Sequence, residues 1–203
     1  MSQALFAASW RVVAQPTMLL PAGTAGLLAL ATAPFLDGGN ADKVRIGVAT
    51  LLACALAATA EDPAGEVAAA APRPRWVRCG ARLIFGLALA VPVAIASLAL
   101  IAYRTGVAPT GGLMLQTLAL VVVGPAVGFG VWAWGDVAQP TYAAMVGVLC
   151  ISLAFWILPT GWSVIAVQPW GPPWQAALIR WAALLGFTSA IVASAWRDPA
   201  NQR

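Results

Sequence analysis

One stretch of this sequence carries a chemically specific pattern: Glu61-Asp62-Pro63-Ala64-Gly65-Glu66-Val67, then four alanines, then Pro72-Arg73-Pro74-Arg75. Asp62 is a good N-cap, and Pro63 suits a first helical position because its missing N–H would be unpaired there anyway. The acids Glu61, Asp62 and Glu66 gather where a helix dipole favours negative charge. Pro72 stops the helix. The spacing therefore predicts a short helix of about ten residues, roughly 15 Å long, followed by a basic and aromatic run of Arg75, Trp76, Arg78 and Arg82. The alternative is a plain connector whose arginines only set topology, but a plain connector has no need of a capped helix.

Elsewhere the chemistry is ruled out rather than indicated. The chain has no histidine, which removes imidazole metal ligation, haem ligation and Ser-His-Asp catalysis together. Cys54, Cys79 and Cys150 are scattered without a Cys-x-x-Cys spacing and read as small reduced hydrophobes. All seven acids, Asp37, Asp42, Glu61, Asp62, Glu66, Asp136 and Asp198, fall in loops or at the ends of apolar runs. Ion-coupled carriers keep such groups inside the membrane. No GxxxxGK[ST] phosphate loop occurs either. The expectation is a chain that is not an enzyme and holds no metal or cofactor of its own. If it moves something, the energy comes from a partner.

The elements that position these residues follow from composition. The 203 residues are 61% hydrophobic and only 9% charged, against roughly 45–50% and about 25% in soluble domains. A soluble fold cannot hydrate its surface with so few charges, and disorder needs the opposite balance. A net charge of +4 does not indicate a nucleic-acid partner in a chain this apolar. The fold class is all-α and polytopic, in one transmembrane domain. Six spans are predicted at about 17–36, 44–60, 82–103, 112–134, 140–158 and 174–196; the first is long enough for a hydrocarbon core of about 30 Å, and the second is shorter. Arg45 is expected to snorkel from the end of the second, and Arg180 from near the start of the sixth.

Three further segments complete the layout. Residues 2–15 contain Leu5, Phe6, Trp10 and Arg11 before Pro16 and predict an amphipathic elbow helix at the interface. Residues 61–72 form the capped cytosolic loop. Residues 159–173, uncharged and rich in Trp and Pro, predict an interfacial helix, a re-entrant segment or a rigid loop on the headgroups at the outer surface. Ala31-Thr32-Ala33 has the form of a signal-peptidase site, but the region before it is weakly basic, so the first span is expected to be retained.

Orientation comes from the bases. With the N-terminus inside, Arg11, Arg73, Arg75, Arg78, Arg82, Arg197 and Arg203 are internal, while Lys43, Arg45, Arg104 and Arg180 are external. This favours both termini in the cytoplasm of a plasma (inner) membrane protein. Trp132, Trp134 and Trp196 mark inner ends, and Trp156, Trp162, Trp170, Trp174 and Trp181 mark outer ones, as an aromatic belt on each face. Small residues supply candidate packing faces: the GxxxG of Gly124 and Gly128, and the Ala25, Ala29, Ala33 stripe. Pro21, Pro34, Pro92 and Pro125 are candidate kinks.

This layout resembles the membrane subunit of a type-2 exporter-class ABC transporter, of the half-size actinobacterial kind. The elbow at 2–15, the six spans, the capped loop at 61–72 and the segment at 159–173 carry the resemblance, together with the Glu-Asp-Pro-x-x-Glu start at Glu61. Its outer loops are shorter than in larger members of that family. The resemblance implies a permease with cytosolic ATPase subunits as partners, holding ATP and Mg on those chains, and with a second permease, the same chain or another. Glu61, Asp62, Pro63, Glu66 and Val67 would then grip the ATPase. Two alternatives stay open. One is the substrate-binding subunit of an energy-coupling-factor importer, which would use the Ala25/Ala29/Ala33 face. The other is a non-transporting membrane assembly subunit.

Overall fold

The structure is a computed structural model that describes residues 16–36, 41–60, 75–106, 111–134, 139–158 and 172–197. It contains α1 (Pro16–Thr32), α2 (Ala41–Ala57), α3 (Arg75–Thr105), α4 (Gly111–Trp134), α5 (Pro140–Ile157) and α6 (Pro172–Arg197). The 3₁₀ turns Ala33–Phe35 and Ala58–Ala60 prolong α1 and α2. No strand occurs among the described residues. Among the described residues, six helices are long and apolar enough to cross a membrane, as expected of an all-helical multi-pass protein.

Each helix coincides with one predicted span, with shifted ends. α2 begins at Ala41 rather than 44, because Asp42 sits in its first turn and complements the dipole. α3 begins at Arg75 rather than 82, since nothing between Pro74 and Pro92 interrupts a helix and arginine is a good helix former. α6 opens on Pro172 and Pro173, at positions where proline costs no hydrogen bond. Of the candidate kink prolines, Pro21, Pro92 and Pro125 lie inside helices, and Pro34 lies in the turn after α1. The predicted elbow at 2–15, the loop at 61–72 with Glu61, Asp62, Pro63, Glu66 and Val67, and residues 159–171 lie outside the described residues.

Burial sorts the helices into centre and periphery. The apolar window of α2 is 78% buried and that of α4 67%, against 28% or less for the other four. α2 and α4 are the central pair, α1, α3 and α5 flank α2, and α6 packs on α4. The direction of packing can be read from contacts. Arg45 meets Gln116, Gly124 lies on Ala53, and Gly128 lies on Ala57. The residue offset is constant along the pair, so α2 and α4 run parallel. Thr50 bonds Ser152 at 3.1 Å, and the Cys54 thiol approaches the Met145 carbonyl at 3.9 Å, so α5 runs antiparallel to α2. The peripheral helices turn Leu27, Ile84, Ile95, Leu153 and Ile179 outward, an apolar surface of the kind that hydrocarbon covers favourably.

Small residues set the closeness of the central pair. A Cβ on Gly124 would overlap the Ala53 carbonyl oxygen, and one on Gly128 would stand 2.5 Å from that of Ala57. The GxxxG of α4 thus finds its partner inside the chain, on a small face of α2 at Ala53 and Ala57. The Ala25, Ala29, Ala33 stripe is likewise internal: all three are buried, and Ala25 and Ala29 belong to the cluster formed with Ile46, Ala49 and Leu52 of α2.

Candidate functional site

Two features of this bundle carry chemistry. The first corrects the sequence reading of Arg45. Its guanidinium does not snorkel: it is 3% exposed and turned inward between α2 and α4. Nη2 donates to Gln116 Oε1 at 2.6 Å and to Asp42 Oδ1 at 3.1 Å, Nε donates to the same Asp42 oxygen at 3.3 Å, and Nη1 reaches Thr117 Oγ1 at 3.4 Å. The reason is local. Asp42 and Arg45 are one helical turn apart on α2, so they lie on one face. The constant register of the parallel pair brings Gln116 and Thr117 against that face. The planar fork of arginine can serve several acceptors at once, which repays part of the cost of leaving water.

The cluster is not fully satisfied. Gln116 is 1% exposed, and its Nε2 has no hydrogen-bond partner. Thr141 Oγ1 of α5 is the other buried side-chain atom without one among the described residues. A buried donor left unpaired in a low-dielectric site is costly. The bundle interior therefore holds an ion pair and an orphan amide at the end where α2 and α4 begin. The signal was present in the sequence, since Gln116 and Thr117 interrupt an apolar run and Arg45 follows Asp42 by three residues.

The second feature is an apolar groove. α5 and α6 both pack on α4. At one end they touch through Phe155 and Trp181, whose rings meet edge-on with centroids 5.9 Å apart and planes at 74°. Towards the other end they diverge and leave a groove of about 530 Å³, lined by residues that include Val127, Val131, Ile151, Leu184 and Phe187. The sequence reading had placed Trp181 in the outer aromatic belt. Instead it is 1% exposed and belongs to the main core cluster, because it lies about two and a half turns inside α6 and faces α4. Trp174 keeps a place near the helix start, where it packs over Gly112. Arg82, like Arg45, is buried within its span.

The remaining candidates are placed as follows. Gly124, Gly128, Ala25 and Ala29 all serve helix packing within the chain. Cys54 and Cys79 are buried and Cys150 is exposed, all three as free thiols. No group of three potential metal ligands occurs among the described residues. No protein-family model, curated protein or solved structure matches the chain.

Proposed function

We propose that this chain is the permease subunit of an ATP-driven exporter of the type-2 ABC class, set in the plasma membrane with both termini cytoplasmic. It would contribute to the translocation path and take its energy from separate cytosolic ATPase subunits that hold ATP and Mg, beside a second permease. The observation that carries this reading is the sequence pattern from Glu61 to Pro72, with the capping residues Asp62 and Pro63, between the second and third spans. With six spans, that segment falls on the same side as both termini. α3, at 31 residues and about 46 Å, exceeds a hydrocarbon core of about 30 Å. Its excess begins at Arg75, next to the capped segment.

The polar groups fit an external energy source. Asp42 is the one acid within the six apolar spans, and it is committed to Arg45. The importer alternative is weakened because the Ala25/Ala29/Ala33 face that would dock a coupling protein is buried within the chain.

Copurification from native membranes tests the reading. An ATPase together with a permease supports it; an ATPase with a shared coupling protein, or neither, sinks it. If Glu66 and Val67 contact the ATPase as proposed, a Glu66→Lys, Val67→Asp double variant should insert and stay monodisperse yet lose ATPase association or stimulated hydrolysis. Unchanged stimulation in that variant would refute the role of the loop.

A further inference from the structure

We infer that the groove between α4, α5 and α6 is a binding site for one hydrocarbon chain of a bilayer lipid, drawn from the leaflet on the side where α4 ends and α5 begins. The inference needs only that the six helices cross the bilayer, and it is independent of the proposed ATPase partner.

The lining excludes water. Thr188 supplies its one side-chain hydroxyl, which is spent on its own helix, donating to Leu184 O at 2.8 Å and Leu185 O at 3.1 Å. A trapped water needs two to four polar partners, and the groove does not offer them. Its mouth faces outward at Phe187, which is 66% exposed and lies at membrane depth within the Trp174–Ser194 span. The surrounding medium there is hydrocarbon, and an unfilled apolar groove would forfeit dispersion contacts along its whole wall.

Length selects the occupant. Along α4 the groove runs from Val123 to Val131, about 12 Å at 1.5 Å per residue. That is less than half of a hydrocarbon core of about 30 Å and close to one leaflet. About one helical turn beyond the lining residues Ile151 and Leu184, α5 and α6 meet through Phe155 and Trp181. A transmembrane helix from a second copy needs a face that continues through both leaflets, and this one stops midway. An acyl chain enters from one leaflet and ends near the midplane, which matches a groove blind at that depth.

The test uses the full chain reconstituted in phosphatidylcholine–phosphatidylglycerol vesicles carrying a phospholipid with a diazirine on its acyl chain. After illumination and peptide mass spectrometry, adducts on residues 123–131 and 184–191 should exceed those around the exposed Ile84 and Ile95 of α3 several-fold. Filling the groove with Ala143→Phe should reduce the groove adducts several-fold and leave the α3 adducts unchanged. Gly130→Leu repeats the test should the first variant fail to insert. Thr188→Val should retain labelling, since its hydroxyl takes no part. Labelling no denser than on α3, or labelling that survives filling, overturns the inference. So does efficient disulfide formation between copies carrying Phe187→Cys on a cysteine-free background, which would assign the groove to a protein interface.

Discussion

Arg45 shows how much of this protein turns on one side chain. A charge within a span is costly wherever it sits, and here the cost is met by three acceptors: Asp42, Gln116 and Thr117. Arg45→Lys should lower stability by about 1–2 kcal/mol, because an ammonium on a single stem cannot serve all three at once. Arg45→Met alone leaves both ends of the Gln116 amide buried and unpaired. Adding Gln116→Leu should therefore recover part of the loss, with an interaction energy of about 0.5–3 kcal/mol in the double-mutant cycle. Thermal midpoints of the detergent-solubilised protein, followed by size exclusion, measure this. Strictly additive losses would show that the two residues do not act as a unit.

At the scale of elements, the parallel α2–α4 pair is held by close backbone approach rather than by large side chains. Lipid offers no hydrophobic drive for helices to associate, so shape and small residues decide. Gly124→Ala forces the Ala53 carbonyl away and should cost about 1–3 kcal/mol, as overpacking does. Gly186→Ala meets nothing within 4 Å and should stay within about 0.5 kcal/mol of the parent. The same thermal assay on both variants checks the contrast, and equal behaviour would contradict the packing described for the pair. α6 differs in kind. Its start is anchored by Trp174 over Gly112 and by Trp181 against Phe155, while grooves flank its second half, one against α5 and a smaller one of about 220 Å³ that includes Leu83, Leu87 and Val192.

For the whole molecule, six crossings place residues 66 and 200 on one side and residue 40 on the other. In the orientation proposed above, on the arginine bias, the first side is the cytoplasm. Single cysteines at these positions on a cysteine-free background, labelled with an impermeant maleimide in intact cells, should react at 40 and stay unmodified at 66 and 200. Reaction at 66 from outside would invert the orientation and remove the basis for an ATPase-binding loop. In vesicles opened from the cytoplasmic side, the pattern should reverse.

Much of the architecture was legible in the sequence, because crossing a bilayer imposes rules that act on each segment separately. About twenty apolar residues, backbone bonds closed within the helix and bases gathered on one side can all be counted along the chain. The six helices follow from that count. What the count cannot contain is which face of each helix meets which neighbour. Arg45 read as a snorkelling end residue and Trp181 as a belt residue because each was judged against the membrane alone. Their burial was decided by α4, through Gln116 for the first and through the core around Ala119 and Leu120 for the second. Likewise, Gly124 and Gly128 were visible as a motif, but only the tertiary register matched them to Ala53 and Ala57. Insertion is a local free energy summed along the sequence, whereas packing depends on pairs of faces, and those pairs exist only once the helices have met.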